Sequence, residues 1–287
     1  MGIRRKIRRF RKVYKRIILI FLVSFIFSQA EYQITSIPHN SKQLALHNGL
    51  DALYGIDNIN NNSVSLLHYP SQIKLLSYTS QKFNFSFLDY GILENKIDNQ
   101  IINSFSAYEC LIQYSSQKII NDLFKINLLS GFLISKIGTY SSNALMTNIN
   151  INTKIENTYL LLSLNNLGIV LDDYTNHSIK LPSFSQFSIV KAFNNDLVYF
   201  GYDHIYNFNT DKNEHIISLR SEINNNLLLR LSGSSYRKEM LVDDFNNDFY
   251  YGMAVGLTIK TNKKSTFDIG ICSLGTAGYL YGITINY

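Results

Sequence analysis

Residue-by-residue alternation of apolar and polar side chains is the feature that most constrains the fold of this chain. Ile149 and Ile151 alternate with Asn148, Asn150 and Asn152. The chain ends with tyrosine or isoleucine at every odd position from 279 to 287. Successive side chains of a β-strand point to opposite faces, so this period of two predicts sheet with one apolar and one polar face. After residue 70, no stretch has the period of a long amphipathic helix.

The predicted strands are long, and the connections between them alternate between short and long. Average strands have about 5–6 residues, whereas tilted strands that cross a membrane need about 9–11. Barrels of the outer membrane have short turns at one end, longer loops at the other and an even number of strands. We therefore expect a fourteenth strand near 167–175 or before residue 72. The thirteen strands that the alternation identifies are 72–80, 82–90, 105–114, 125–137, 145–155, 158–168, 184–193, 197–206, 215–223, 227–236, 249–260, 265–273 and 278–287.

These patterns favour a sheet that spans a membrane. In hydrocarbon every backbone polar group must be paired within the protein, so a sheet can span only if it is closed. We predict an all-β fold, a transmembrane antiparallel β-barrel of the outer membrane with about 14 strands, lipid-facing apolar residues and a polar lumen. A soluble sandwich also alternates, which leaves a secreted soluble β-protein or hydrolase as an alternative.

The first thirty residues have the layout of a secretory signal peptide. Nine of the 27 basic residues lie in the first 16 positions, an apolar run of 11 residues (17–27) follows, and Ser28-Gln29-Ala30 precedes the predicted cleavage site. A spanning helix needs about 20 residues, although a retained anchor is the alternative. All 21 acidic residues follow the signal. The mature chain is therefore slightly acidic, and we expect no nucleic-acid partner.

Charged residues within the predicted strands are expected to face the lumen. A charge on the lipid face costs about 2–4 kcal/mol near the midplane. The lumen charges could bind or guide cargo, or form a salt-bridged network that fills the lumen. The lumen-facing residues predicted in this way are Glu109, Asp203, Arg220, Glu222, Arg230 and Asp268.

No motif in the sequence nominates enzymatic chemistry. The chain has no HExxH, no GxSxG, no phosphate-binding loop and no calcium-loop pattern, so we predict no catalytic residues, no metal site and no cofactor. Cys110 and Cys272 are too few for a disulfide framework. At the C-terminus, Gly282, Ile285 and Tyr287 resemble the signal that the bacterial barrel-assembly machinery reads.

Several segments, in order, resemble the PorV/PorQ-like outer-membrane proteins. Residues 37–49 are similar to the opening of that family, although His47-Asn48 replaces part of its glycine-rich step. Asn166-Leu167-Gly168 and Leu181-Pro182 match later motifs. Asp203, Glu222, Leu229-Arg230 and Asp268 are similar to charged positions of the family's last hairpins.

The resemblance covers most of the mature chain, and the family is related to the FadL-type barrels. The signal pattern and the resemblance together predict a signal peptide at 1–30, a lumen segment at 31–71 and a 14-stranded barrel at 72–287 in the bacterial outer membrane. The implied function is assistance of type IX protein secretion, or surface attachment of exported proteins. The implied partners are outer-membrane lipid, the barrel-assembly machinery, and type IX components or exported cargo. The alternative is a FadL-like channel for small hydrophobic molecules, which predicts a lumen pocket lined by phenylalanine and leucine rather than by charges.

Overall fold

A computed structural model describes residues 32–50, 52–53, 62–97, 100–120, 124–174, 180–235, 250–262, 265–274 and 277–287. The predicted signal peptide lies outside these residues. Within them the chain forms a short helix, α1 (Ser41–Leu46), and fourteen strands. The strands are β1 (Ser63–His68), β2 (Lys74–Thr79), β3 (Phe83–Ile97), β4 (Gln100–Ile120), β5 (Phe124–Ile137), β6 (Tyr140–Ile155), β7 (Thr158–Asp172), β8 (Phe184–Phe193), β9 (Val198–Asn207), β10 (Lys212–Asn224), β11 (Leu227–Ser234), β12 (Met253–Asn262), β13 (Ser265–Ser273) and β14 (Tyr279–Asn286).

The strands form one closed antiparallel barrel, as predicted. Each strand pairs with its neighbours in sequence, and β1 pairs with β14 to complete the circle. Because a closed sheet has no free edge, its backbone groups are paired without help from water. The closure excludes the two-sheet sandwich.

Strand β1 is the strand that the alternation did not identify. The expectation of a strand before residue 72 is confirmed, whereas the site at 167–175 was wrong because residues 167–172 belong to β7. Strand β1 has only six residues, with Val64 and Leu66 exposed and Ser63, Ser65 and Leu67 buried. It is too short to stand out by length. The barrel therefore begins at Ser63, inside the range that was assigned to the lumen segment.

Exposure follows the alternation. In β14, Tyr281, Ile283 and Ile285 are exposed on the outside of the barrel, whereas Thr284 and Asn286 are buried on the inside. The same period gives the outer surface its band of exposed large apolar side chains, as expected for a wall that faces lipid. Among the described residues, no helix is long and apolar enough to cross a membrane.

Residues 32–50 and 52–53, which precede β1, lie inside the barrel. They begin with a 3-10 turn at Gln33–Thr35 and continue into α1. The Asn40 side chain caps α1 by accepting a hydrogen bond from the Gln43 backbone N–H, and His47 ends it in the left-handed conformation at φ 50°. Ile34 and Leu46 have no exposed surface. From here on, the lumen segment means the described residues 32–50 and 52–53.

Candidate functional site

Three glycines on adjacent strands form a seat for α1. Gly256, Gly270 and Gly282 lie opposite one another across β12, β13 and β14. A Cβ at Gly256 would lie 2.4 Å from the Ala45 Cβ, and one at Gly270 would lie 2.5 Å from the Ser41 carbonyl oxygen. Real Cβ atoms do not approach other atoms so closely. Glycine at these positions therefore lets the helix lie directly against the wall, and we call this row the glycine seat.

Asp268 connects α1 to the same side of the wall. Its carboxylate is fully buried and lies 3.5 Å from Lys42 Nζ of α1 and 3.3 Å from Arg230 Nη1 of β11. Asn286 Nδ2 donates to Asp268 Oδ2 at 2.6 Å, and the Thr258 hydroxyl donates to Oδ1. One buried acid thus lies between two cations, one from the lumen segment and one from the wall.

Two further buried acids of the wall accept hydrogen bonds from the backbone of the lumen segment. The Ile34 N–H donates to Glu109 Oε2 at 2.8 Å, and the Leu50 N–H donates to Asp203 Oδ2 at 3.2 Å. Tyr90 donates to the other oxygen of Glu109 at 3.0 Å. Glu109, Asp203 and Asp268, hereafter the wall carboxylates, therefore hold the lumen segment at three places. Asp268 also forms ion pairs, whereas Glu109 and Asp203 have no cationic partner among the described residues.

The other two predicted lumen charges, Arg220 and Glu222, form ion pairs within the wall rather than with the described residues of the lumen segment. Arg220 Nη2 is 3.7 Å from Glu222 Oε1, and Lys260 Nζ is 3.3 Å from the same oxygen. The guanidinium of Arg220 also stacks 5.0 Å above the Tyr199 ring. All six charges predicted for the lumen thus have partners in the structure, and four of them are buried: Glu109, Asp203, Arg230 and Asp268.

Two histidines of the lumen segment act as neutral hydrogen-bonding groups. His39 Nε2 donates to the Ile34 carbonyl at 2.7 Å, so its Nδ1 accepts from the Ser86 hydroxyl at 2.6 Å. Burial lowers the pKa of His39 below its usual value. Burial also lowers the pKa of His47 to about 4. Both imidazoles are therefore uncharged at neutral pH.

His47 lies between two strands of the wall. Because the Ser232 hydroxyl donates to the Ala45 carbonyl, His47 Nδ1 donates to Ser232 Oγ at 2.8 Å. His47 Nε2 is then free to accept from the Cys272 thiol at 3.3 Å. Within the described part of the chain, no three histidine, cysteine or acidic side chains come together as a metal site would require.

Asn166 joins the lumen segment to an outer connection. It lies in the left-handed region at φ 57°, where asparagine is tolerated better than most residues. Its Nδ2 donates to the Thr35 carbonyl at 3.2 Å and to the Pro182 carbonyl at 2.9 Å. The Asn-Leu-Gly and Leu-Pro motifs of the sequence therefore meet at one point of the fold.

A cavity of about 620 Å³ lies beside the lumen segment. The wall residues that line it come from β2 to β10, whereas α1 packs on β11 to β14. Its lining reaches from Asn84 and Asn152, close to short turns, to Asn207 and Lys212, which flank the connection at the opposite end of the strands. The cavity therefore follows the barrel along most of its height.

Uncharged polar side chains dominate the lining. It contains ten asparagines, three glutamines, five serines and threonines, and eight apolar residues, including Leu111, Leu129 and Phe184. Among the described residues, its ionisable side chains are those of two histidines, Lys212 and Glu214. None of the six predicted lumen charges lines it. The alternating asparagines of β6 at 148, 150 and 152 were the sequence signal that could have identified it.

The C-terminal residues have separate structural environments. Gly282 belongs to the glycine seat, Ile285 is exposed on the outer wall, and the Tyr287 N–H donates to the Asn62 carbonyl at 2.9 Å. Their role as an assembly signal remains a prediction.

Comparison with solved structures identifies similar barrels at low sequence identity. The toluene transporter TbuX of Ralstonia pickettii matches with a TM-score of 0.51 at 8% identity, over 91% of this chain and 98% of that one. A FadL homologue of Pseudomonas aeruginosa matches with a TM-score of 0.50 at 7% identity, over 88% of this chain and 99% of that one. A deletion mutant of the monoaromatic hydrocarbon channel TodX gives 0.51 at 12% identity, over 86% and 96%.

The chain has the FadL-like barrel fold. No protein-family model matches it, and no curated protein matches its sequence. At these identities the likeness is one of architecture, and a PorV/PorQ relationship rests on the sequence resemblance alone.

Proposed function

We propose that this protein is an outer-membrane channel of the FadL type that passes small uncharged molecules. The observation that carries the proposal is the cavity, which extends along the barrel beside the lumen segment and has few charges in its lining. Moving an ion into such a space would remove part of its hydration, and in the described lining Lys212 and Glu214 lie only at one end of the cavity. The structural neighbours TbuX and TodX, described as a toluene transporter and a hydrocarbon channel, support this choice of function.

The lining differs in part from the one expected for a hydrophobic channel. Leu111, Leu129, Leu161 and Phe184 give it apolar patches, but side-chain amides and hydroxyls are more numerous. The small number of charges in the described lining supports the alternative reading, but phenylalanine and leucine do not predominate there. We therefore propose uncharged solutes in general rather than hydrocarbons alone.

The proposed location is the bacterial outer membrane, reached after export through the inner membrane. The exposed apolar band of the barrel and the N-terminal signal pattern support it. We also propose outer-membrane lipid and the barrel-assembly machinery as partners, and no enzymatic activity.

A role in type IX secretion or surface attachment is the second candidate. The observation in its favour is that the three wall carboxylates hold the lumen segment in place. A barrel whose lumen is kept filled suits the docking of exported proteins at its loops better than passage through it.

Fractionation followed by reconstitution tests both functions. We expect the protein in the outer-membrane fraction, with a migration on gels that changes on boiling. Vesicles that contain the purified protein should take up small neutral solutes faster than empty vesicles. If these vesicles are impermeable and the purified barrel binds none of these solutes, the channel proposal is wrong. Loss of secreted or surface-attached proteins after deletion of the gene would then favour the second candidate.

A further inference from the structure

Four side chains form a polar row across the cavity wall. Gln186 of β8 lies opposite Ser163 of β7, Ser163 opposite Asn150 of β6, and Asn150 opposite Asn127 of β5. All four line the cavity. Side chains at directly opposed positions have Cβ atoms about 4.5–5.5 Å apart, which places three carboxamides and a hydroxyl side by side. We call these four residues the amide row.

Several carboxamides around this row have unused hydrogen-bonding capacity. In the row itself, Asn127 Oδ1 accepts from the Ser115 hydroxyl at 3.0 Å, Ser163 accepts from Asn165 Nδ2 at 2.8 Å, and Gln186 Nε2 donates to Asp203 at 3.2 Å. No side-chain hydrogen bond is found, among the described residues, for the remaining member and three lining amides near it: Asn150, Asn84, Gln113 and Asn152. The Oδ1 atom of Asn152 is buried and unpartnered, and the residue is only 1% exposed. Buried polar groups are nearly always paired in folded proteins. Asn152 Oδ1, in the lining of the cavity, is therefore placed to accept a hydrogen bond from a solute that enters it.

The chemistry of the lining selects the class of solute. A carboxamide offers one acceptor oxygen and two donor hydrogens without carrying a charge. A pure hydrocarbon would leave these groups unpaired, and an ion would lose hydration. A solute with several hydroxyl groups can both donate to and accept from the same amides, while Leu129, Leu161 and Met146 of the lining can contact its C–H surface.

We propose that the amide row binds a small, neutral, polyhydroxylated solute of the size of a mono- or disaccharide. The cavity of about 620 Å³ lies within the roughly 300–1,000 Å³ of typical small-molecule sites. This inference rests on the proposed channel function and narrows it to one class of solute.

The test uses the full mature chain in vesicles and compares three probes. Osmotic swelling measures entry of maltose and of maltobionate, a sugar acid of similar size, and calorimetry on the detergent-solubilised barrel measures binding of maltose and toluene. We expect maltose to enter and bind, with maltobionate at least tenfold slower. The variant Asn127→Leu/Asn150→Leu should reduce maltose entry and affinity about tenfold, because two hydrogen bonds are removed.

Asn143→Leu is the matched control. Asn143 lies on the same strand as Asn150 but at an odd position, on the opposite face of the wall, and does not line the cavity. Boiling-dependent migration on gels shows that each variant is folded.

The outcomes separate the inference from the function on which it rests. Toluene binding without maltose entry or binding overturns the inference and leaves the channel in place. Equal entry of maltose into wild-type and double-variant vesicles also overturns it. Absence of binding and entry for every probe overturns the channel function itself.

Discussion

Replacement of Asp268 by asparagine tests whether the buried ion cluster stabilises the barrel. In the wild type, one fully buried carboxylate faces Lys42 and Arg230 at 3.5 and 3.3 Å. Asp268→Asn keeps the shape but removes the negative charge that Lys42 and Arg230 face in the described part of the chain. Loss of one partner from a buried ion pair costs about 3–5 kcal/mol. Two unit charges 4 Å apart at an effective dielectric constant of 20 interact by about 4 kcal/mol, which is the same order.

Urea unfolding in lipid vesicles, followed by the migration of folded and unfolded bands, measures this free energy. We expect Asp268→Asn to lower the unfolding free energy by about 3–5 kcal/mol. Glu222→Gln is the matched control, because its ion pairs with Arg220 and Lys260 are partly exposed and such pairs are worth about 0–1 kcal/mol.

The triple variant Lys42→Met/Arg230→Met/Asp268→Leu separates charge from packing. Replacing a whole buried ion cluster by apolar side chains of similar volume is often neutral or stabilising, so most of the lost stability should return. If Asp268→Asn unfolds within about 0.5 kcal/mol of the wild type, the reasoning that the cluster is a paired, desolvated unit is wrong.

Two further predictions concern the lumen segment. Gly270→Ala should destabilise the barrel and increase proteolysis of the lumen segment, because the new Cβ would lie 2.5 Å from the Ser41 carbonyl oxygen, whereas Gly233→Ala, with open space around its Cβ, should not; equal protease sensitivity of the two variants would contradict the glycine seat. His47 has a folded pKa of about 4 against 6.5 when unfolded, so the unfolded state binds more protons between these values and stability should fall as pH drops from about 6.5 to about 4. Unfolding experiments at several pH values should show a weaker pH dependence of stability for His47→Gln. If the pH dependence is the same in this variant, it arises from other groups, such as His39, whose pKa is also lowered.

The barrel could be predicted from the sequence because the alternation of apolar and polar residues reflects the two surroundings of the wall, lipid outside and the lumen inside. A residue of β6 or β14 faces either lipid or the lumen, and each environment selects a different residue type. Where a strand extends beyond the bilayer, that selection ends. Strand β3 ends at Ile97 rather than at the predicted residue 90, and β4 begins at Gln100 rather than at 105. The additional part of β3 includes residues such as Glu94 that do not follow the alternation.

The site was predicted less completely, for a physical reason. The six lumen charges were inferred from the cost of placing a charge in lipid. That argument identifies charged residues that avoid lipid, but it does not show what they bind. It identified Glu109, Asp203 and Asp268 without showing that they bind the lumen segment, since no sequence pattern encodes a contact between residues 34 and 109. It also gave no role to Asn127 and Asn150. The alternating asparagines of β6 indicate a polar face, but the pattern does not show which part of the lumen the chain leaves empty.

The two halves of the lumen wall differ in the size and charge of their side chains. This difference explains how one barrel can both bind the lumen segment and contain a cavity. On β11 to β14, small residues and a buried ion cluster bring α1 against the wall, so that side is filled by the chain itself. On β5 to β8, side chains of intermediate size end in amides that lie at opposed positions of neighbouring strands. Some of them are hydrogen-bonded within the wall, whereas Asn152 Oδ1 is buried without a partner. Larger apolar residues there would fill the space, and charged ones would demand counter-ions. A wall of neutral amides leaves room for a solute and supplies its hydrogen bonds at the same time.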